Sequence, residues 1–378
     1  MPTIACAPRI SQTPATPPPS PQRRAVVVGV DTHRDNHTAA IITTTGELVG
    51  HKEFGADEAG YAALLAWALA LGTVTMIGIE GTGAYGAGLT RHLRTHTRHL
   101  DVELVEVDRP NRAARRRAGK SDPLDAETAA RTTLTRARTG TPKEHDNAVE
   151  ALRALRVARR SAVHQRADVQ RRIKALLVTA PEPVRTQLRT LSTTRLIATC
   201  AQLRPDPTRT ADPTHATKHA LRSLARRHRA LSAEIQELDD LINPLVAAIN
   251  PTLIALNGVG PDSAGQLLVT AGNNVERLRS EAAFAMLCGT APVPASSGRT
   301  HRHRLNRGGD RQANAALHRI VLSRLRWDPT TQAYMQRRRT QGLSTRDVIR
   351  CLKRHLTREI YTALTNPHPT TNTTPTAA

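Results

Sequence analysis

Four carboxylates have positions that would let them hold divalent metal ions. Asp31 and Glu80 each follow a short apolar run and precede a small residue, as acids do at the exposed edge of a sheet. Asp122 and Asp125 are three residues apart at a predicted helix start, which places both on one helix face. Four converging acids repel one another unless cations neutralise them. Two Mg²⁺ ions, or Mn²⁺ in their place, take such oxygen ligands and activate in-line attack on a phosphodiester.

Each acid also has a simpler interpretation. Asp31 alone could be a turn residue. The segment Asp122-Pro123-Leu124-Asp125 fits a helix cap, with Asp122 as N-cap and Asp125 at the third helical position. The order Asp–Glu–Asp–x–x–Asp on alternating strands and helices favours the metal site. Asp35 and Asp108 lie close in sequence, and we assign them supporting or structural roles.

A serine in a basic loop is the second candidate for chemistry. Ser297 precedes Gly298 in the predicted loop Ala295–Asp310, and its hydroxyl could attack phosphorus to give a phosphoserine intermediate. Arginines in this loop would stabilise the developing charge. The residues alone favour a simpler role, in which Ser296 and Ser297 contact phosphate. The histidines could be general acids or further phosphate contacts. The basic residues are Arg299, His301, Arg302, His303, Arg304 and Arg307.

The elements that position the acids follow from apolar runs and turn residues. Three runs in close succession must pair as antiparallel neighbours, because parallel neighbours need a longer crossover. Two helices and two further strands then alternate. This order indicates a ribonuclease-H-like α/β domain, in which the first and fourth strands are adjacent and Asp31 faces Glu80. The predicted strands are Ala25–Val30, Ala39–Ile42, Leu48–Phe54, Val74–Ile79 and Val102–Val107, and the predicted helices are Asp57–Leu71 and Tyr85–His96.

The rest of the sequence predicts mostly helices. Arg115, Arg116 and Arg117 form a basic run, as in a nucleic-acid contact, before a helix near Pro123–Arg136. Apolar residues from Leu221 to Ile249 repeat with heptad spacing, which predicts either a coiled coil between chains or a long helix packed against residues 146–179 of the same chain. We expect Pro244 to kink or end this helix.

The sequence Leu256-Asn257-Gly258-Val259-Gly260-Pro261 predicts a helix-hairpin-helix turn. The glycines Gly258 and Gly260 would let backbone amides approach a phosphate, although a plain tight turn is nearly as good an explanation. Helices are predicted at Gln312–Trp327 and Thr345–Leu364. We therefore predict a disordered leader (1–24), an α/β catalytic domain (25–143), a helical coiled-coil region (144–250), a mainly α C-terminal domain (251–365) and a disordered tail (366–378).

The composition predicts a polyanionic partner. The formal net charge of +22 is too large for an ordinary metabolic enzyme, and nucleic acid is the usual partner. Arginine far outnumbers lysine, which fits bidentate phosphate contacts and, equally, a GC-rich genome. No membrane-length apolar stretch and no signal peptide are predicted. Four cysteines without CxxC spacing indicate reduced thiols in a cytoplasmic protein, nucleoid-associated in a prokaryote.

These motifs resemble the DEDD transposases of the insertion-sequence family one-hundred-and-ten, which also includes Piv-type DNA invertases. The resemblance extends from about Val26 to Leu325. It rests on Gly29-Val30-Asp31, on Gly78-Ile79-Glu80-Gly81-Thr82-Gly83 and, most specifically, on Lys120-Ser121-Asp122-Pro123-Leu124-Asp125-Ala126. In the second half it rests on the Gly258–Gly260 turn, on Ala285–Pro292, on Ser296-Ser297-Gly298 and on the basic stretch to Asp310.

The resemblance implies a RuvC-like catalytic domain whose four acids bind divalent metal and a second domain whose serine, here Ser297, is the nucleophile. It also implies a homo-oligomer, a dimer or tetramer, and a structured bridge RNA that pairs with donor and target DNA. The stretch Asp310-Arg311-Gln312-Ala313-Asn314 departs from the family's usual pattern, and this weakens the transfer of single phosphate contacts there.

Three other functions are weighed against a transposase. A RuvC-like, structure-specific nuclease without a joining step shares the acids but does not need the serine loop. A sugar-kinase or actin-like ATPase should carry a second Asp-x-Gly-Gly loop, which we do not find. A non-enzymatic nucleic-acid-binding protein explains the charge but not four acids at sheet edges. The sequence thus favours metal-dependent cutting and rejoining of DNA.

Overall fold

The computed structural model describes residues 23–108, 121–137, 139–144, 147–296, 298 and 303–366. The chain divides after Pro142 into two compact units, and each is described by itself. The predicted leader, apart from Arg23 and Arg24, lies outside the described residues, as does the predicted tail after Asn366. Arg23 donates to the carbonyl of Leu69, so these two leader residues pack with the first unit.

The described part of the first unit combines a sheet with three helices. The strands are β1 (Ala25–Thr32), β2 (Asn36–Thr43), β3 (Leu48–Gly55), β4 (Thr73–Glu80), β5 (Glu103–Val107) and β6 (Thr139–Gly140), and the helices are α1 (Glu58–Leu71), α2 (Ala87–His96) and α3 (Asp122–Thr135). The strand order is β3-β2-β1-β4-β5-β6. The first three strands are antiparallel and β4 is parallel to β1 and β5, as the predicted ribonuclease-H-like order requires.

The two faces of the sheet carry different helices because strand side chains alternate. Val26, Val28 and Val30 of β1 share a core with α1 and α2, whereas Val27 packs against Ala130 of α3. Asp31 is on the same side of β1 as Val27, since the two are an even number of residues apart. The alternation therefore places Asp31 on the face that α3 covers.

Two glycines let α3 lie directly on the strands. Gly29 of β1 and Gly78 of β4 are partners across the sheet. A Cβ atom on Gly29 would lie 2.0 Å from the backbone nitrogen of Ala130, and one on Gly78 would lie 1.7 Å from Oγ1 of Thr133. Alanines at 126, 129 and 130 give α3 an equally small contact face. This contact fixes α3 over β1 and β4.

We expect Gly29→Ala to destabilise the first unit by about 3 kcal/mol, because an added methyl would meet backbone atoms that move only if the helix moves. The sequence has two tryptophans, and Trp67 belongs to the first unit. Urea unfolding followed by Trp67 fluorescence, with Trp327→Phe as background, measures the effect. Gly83→Ala is the control, because its Cβ would have no atom within 4 Å. Equal midpoints for the two variants would contradict the close packing.

The second unit is mainly helical in the part of the chain described. Its helices are α4 (Asn147–Val178), α5 (Glu182–Leu188), α6 (Thr193–Gln202), α7 (Pro213–Ile249), α8 (Pro251–Ala255), α9 (Pro261–Ala271), α10 (Glu281–Leu287), α11 (Arg311–Trp327), α12 (Pro329–Thr340) and α13 (Thr345–Thr365), with 3₁₀ turns at Pro207–Arg209 and Val275–Leu278. The two-residue strands β7 (Val293–Pro294) and β8 (His303–Arg304) pair within the predicted loop region. The sequence did not predict α12.

The heptad seam of α7 packs within the chain. Leu221, Leu231 and Ile235 are buried in one core with Val169 and Ile173 of α4. This packing supports the intrachain alternative for these residues and leaves a coiled coil between chains as a proposal.

The end of α7 differs from the prediction. The helix continues past Pro244 to Ile249, so an end at this proline is wrong. Ile242 and Val246, on either side of it, are anchored in the C-terminal core, which holds the helix together there. That core also contains Leu152 of α4 together with α9, α11 and α13, so the predicted middle and C-terminal segments share one core.

Candidate active site

The structure brings together two of the predicted acids and a histidine. Nε2 of His33 lies 3.1 Å from Oδ2 of Asp31 and 3.4 Å from Oδ1 of Asp122. Asp31 ends the buried part of β1, and Asp122 opens α3. The sequence analysis did not single out His33. Its position two residues after Asp31, which places both side chains on one face, was the available signal.

The Asp31 carboxylate is in an unfavourable setting for a negative charge. Its residue is only 6% exposed. Burial raises the pKa of Asp31, and the nearby charges of Asp125 and Asp122 raise it further, while His33 opposes the shift. A cation at this position would offset both the burial and the repulsion. The electrostatics therefore agree with a carboxylate group built for a positive ligand.

Glu80 and Asp125 complete the set of acids. Both are buried, with 5% and 8% of their surface exposed. Glu80 ends β4, next to β1, and by strand alternation it shares the α3 side of the sheet with Gly78. Oγ1 of Thr32 donates to the Glu80 carbonyl at 2.8 Å and joins the two strand ends. Thus all four acids predicted as ligands lie at one edge of the sheet or at the start of α3.

The capping interpretation of Asp122 is wrong. The N-cap of α3 is Ser121, in extended backbone, and Asp122 is already inside the first turn. Pro123 follows in that turn, where its missing N–H costs nothing. Asp122 is therefore free of the N-cap role and its carboxylate contacts His33 instead. Asp35, in contrast, is 89% exposed and pairs with its neighbour Arg34, which fits the structural role assigned to it.

The donor set fits a divalent cation. One ligand atom each from Asp31, His33 and Asp122 lies within 4.8 Å of the others. Carboxylate oxygens are the ligands of Mg²⁺ and Mn²⁺, and Mn²⁺ also accepts an imidazole nitrogen. Because Asp31 is buried among like charges, its ionised form is stabilised by such an ion. The residues thus fit a divalent cation at this edge.

Several predicted nucleic-acid contacts lie outside the described residues. These are Ser297, Arg299, Arg302, Arg115, Arg116 and Arg117. Arg304 and Arg307 are described, and both are exposed. Arg304 lies in β8, which pairs with β7, so residues 295–302 connect two paired strands. The two arginines line one cavity together beside this hairpin.

A basic cavity of about 320 Å³ adjoins the β7–β8 hairpin. Lys353 of α13 lies in its wall and donates to Oδ1 of Asn314 at 2.8 Å. Asn314 in turn donates to the carbonyls of Cys288 and Gly289, which fixes the wall. Burial lowers the pKa of Lys353, and Arg350 lowers it further. The basic residues of the lining are Arg304, Arg350, Lys353 and Arg354, accompanied by His303, His355 and the acidic Asp347.

Comparison with known proteins finds family matches for the segments that contain the acids and the hairpin. Residues 28–180, which include the acids, match the DEDD transposase family of the IS110 type, described as a transposase. Residues 250–336, which include the hairpin, match the transposase IS116/IS110/IS902 family. This chain carries IS110-family transposase domains.

Two curated relatives agree with the IS110 assignment. The chain is 33% identical over 123 residues to an uncharacterized 43.6 kDa protein of insertion element IS110 from Streptomyces coelicolor, which covers 32% of this chain and 30% of the relative. It is 28% identical over 156 residues to an uncharacterized 42 kDa protein of insertion element IS900 from Mycobacterium paratuberculosis, which covers 40% and 39%. The alignments span less than half the length of these relatives.

The glycine turn of the second transposase domain lies between the helices α8 and α9. Gly258 has a φ of +74°, a left-handed conformation that glycine adopts without steric cost. Nε of Arg324 donates to the Asn257 carbonyl at 2.7 Å, so α11 covers this side of the turn. Gly260 precedes α9, and a Cβ there would meet no atom within 4 Å. The open side at Gly260 leaves room for a phosphate, which stays a prediction.

Among the helices of the described ranges, none has the length and apolar character needed to cross a bilayer.

Proposed function

We propose that this chain is a transposase that cuts and rejoins the DNA of an insertion element. The observation that carries the proposal is the buried Asp31 carboxylate beside Asp122 and Asp125, within residues that match a transposase family. A buried acid with a raised pKa, surrounded by further acids, destabilises a fold unless a ligand uses it. A role in catalysis at a phosphodiester explains why the chain tolerates this loss of folding stability.

The metal ligands are proposed to be Asp31, Glu80, Asp122 and Asp125, with His33 as a neighbour that orients two of them. Two Mg²⁺ ions, or Mn²⁺, would supply a Lewis acid for the phosphate and favour deprotonation of the attacking hydroxyl. The chain's own part is to hold the carboxylates in place through the Gly29–Gly78 contact with α3. Nε2 of His33 is hydrogen-bonded to Oδ2 of the Asp31 carboxylate, the acceptor, at 3.1 Å, which fixes that carboxylate.

The second domain is proposed to supply the nucleophile and the phosphate contacts. Ser297 would attack phosphorus through Oγ and form a phosphodiester with the DNA end, while the displaced DNA hydroxyl leaves with a proton. A later attack by a hydroxyl of the other DNA strand reverses this exchange and restores the serine. Arg304 and Arg307, together with Arg299 and Arg302, would neutralise the phosphate. The basic cavity beside the hairpin supports this assignment.

The partners are proposed to be donor DNA, target DNA and a structured bridge RNA, bound by a homo-oligomer of this chain. The net charge of +22 supports nucleic-acid partners. Because α4 packs against the seam of α7, a coiled coil between chains would use another face of α7. Leu241 on α7 is 57% exposed and is available for it. Basic residues 115–117 and the turn at Gly258–Gly260 would add contacts to nucleic acid.

A RuvC-like nuclease without a joining step is the alternative function, and a strand-transfer assay separates the two. Purified chain is incubated with Mg²⁺, labelled DNA carrying the element's end, target DNA and RNA transcribed from the flanking sequence. A transposase gives recombinant molecules longer than either substrate, and omission of the RNA removes them. Cleavage products without any joined molecule, under conditions in which the DNA is bound, would show a nuclease instead.

A further inference from the structure

A second cluster of ligating side chains lies on the other face of the first unit's sheet. Glu58, His92 and His96 each offer a ligand atom, and these atoms lie within 4.8 Å of one another. Nδ1 of His92 is 2.6 Å from Oε1 of Glu58, and the rings of His92 and His96 stack with centroids 4.0 Å apart. The helices α1 and α2 that carry them pack on the sheet face opposite to α3.

The fold holds this cluster in a fixed geometry. His92 and His96 are four residues apart on α2, so they share one helix face, and Glu58 is the first residue of α1. His92 is only 7% exposed, and its ring contacts Tyr61 with centroids 5.8 Å apart. Gly88 allows this contact, because a Cβ there would lie 2.6 Å from the Tyr61 hydroxyl. One wall of the cluster is therefore rigid.

Hydrogen bonding also orients the exposed histidine. Nδ1 of His96 lies 2.8 Å from the carbonyl of His92 and donates to it. This bond assigns the proton to Nδ1, so that Nε2 carries the lone pair that could bind a ligand. A histidine whose one nitrogen donates to a carbonyl while the other faces outward has the arrangement found in metal-binding histidines.

The chemistry of the donors selects the ion. Two imidazole nitrogens and one carboxylate suit Zn²⁺ and neighbouring transition metals, whereas Mg²⁺ prefers oxygen ligands. Three protein ligands leave one position of a tetrahedral ion for water. The oxygen-rich group around Asp31 therefore has a different preference from this cluster.

We propose that Glu58, His92 and His96 form a second metal site, which binds one Zn²⁺-class ion and joins α1 to α2. The proposal is independent of DNA cleavage, because it rests on residues that the acid cluster does not include. Binding would replace the Glu58–His92 hydrogen bond with two bonds to one ion and would add His96, so that the ends of two helices are held together. The first unit would be more stable with the ion than without it.

Cobalt substitution tests the site directly. The full-length chain, without a histidine tag and stripped with a chelator, is titrated with Co²⁺, and visible absorption is recorded because tetrahedral Co²⁺ absorbs strongly. We expect one equivalent of tetrahedral Co²⁺, displaced by Zn²⁺ but not by excess Mg²⁺. His96→Ala and Glu58→Gln should each weaken binding at least ~10-fold, since loss of a ligand should cost no less than loss of a supporting group. His99→Ala, an exposed histidine just after α2, is the control.

Asp31→Asn should leave the tetrahedral Co²⁺ absorption unchanged, which shows that the acid cluster is not the source of this signal. Zn²⁺ should raise the thermal midpoint of the wild type and of His99→Ala, and should not raise that of His96→Ala. Equal Co²⁺ affinity in the wild type, His96→Ala and Glu58→Gln, or no tetrahedral absorption in the wild type, would overturn the proposal. The contact between Glu58 and His92 would then be a hydrogen bond alone.

Discussion

Replacing Asp31 with asparagine is expected to abolish DNA cleavage and, at the same time, to raise the thermal stability of the metal-free protein. Loss of an ion at the reacting phosphate removes several kcal/mol of transition-state stabilisation, which corresponds to a rate reduction of ~10³-fold or more. Asparagine keeps the size of the side chain and removes its charge. Loss of cleavage together with a higher unfolding temperature would indicate that the Asp31 carboxylate serves catalysis at the expense of stability.

The sign of the stability effect follows from the direction of the pKa shift. Burial, Asp125 and Asp122 raise the pKa of Asp31 in the folded chain above its ordinary value of 3.8. The folded state therefore prefers the protonated form, and stability is lost as pH rises above that ordinary value. At neutral pH, well above the ordinary pKa, this penalty acts on the wild type, so Asp31→Asn should unfold at a higher temperature. The difference should shrink as the pH is lowered toward 4.

Calorimetry in the presence of a chelator, repeated with Mg²⁺, measures both effects. Mg²⁺ should raise the midpoint of the wild type more than that of Asp31→Asn, since a ligand of the folded state stabilises it by mass action. Asp35→Asn is the matched control, because Asp35 is four residues away in sequence and exposed. Full cleavage by Asp31→Asn, or a lower midpoint than the wild type at neutral pH, would contradict the metal role of this acid.

The sequence predicted the first unit well because its signals are local. Each apolar run became a strand whose ends lie within about three residues of the prediction, and the antiparallel order of β1, β2 and β3 followed from their short connections. Alternation along β1 and β4 then placed Asp31 and Glu80 on one face. The contact of Gly29 and Gly78 with α3 was not predicted. A glycine in a strand indicates a close approach by another backbone, but it does not identify the helix that approaches.

The sequence predicted the site less completely where contacts are long-range. His33 bridges Asp31 and Asp122, which are 91 positions apart, and only the packing of α3 brings them together. Lys353 reaches the hairpin cavity from α13, and no spacing near the hairpin indicates it. The heptad periodicity of α7 fits both a coiled coil between chains and packing against α4 of the same chain. Only the three-dimensional structure shows that α4 packs there.

Replacing Ser297 with alanine is expected to remove strand exchange while leaving nucleic-acid binding intact. If Ser297 is the nucleophile, loss of its hydroxyl eliminates the covalent step, and joined products should fall by ~10³-fold or more. Binding should persist, because the charge of the chain and the arginines of the hairpin are unchanged. Ser297→Cys could retain traces of activity, and Ser296→Ala should have a small effect. The neighbouring serine is thus the matched control in the same loop.

The decisive measurement is a protein–DNA adduct rather than a rate. A serine that attacks phosphorus stays attached to the DNA end, so labelled DNA should migrate with denatured protein on a gel, and peptide mapping should find the label at Ser297. Ser297 lies between β7 and β8 in the sequence, and Arg304 of β8 is exposed and lines the basic cavity. The adduct should require Asp31 as well as Ser297, because the proposed chemistry needs both domains. An adduct at Ser296, or efficient recombination without any adduct, would reduce Ser297 to a phosphate contact and leave the acids as the only catalytic residues.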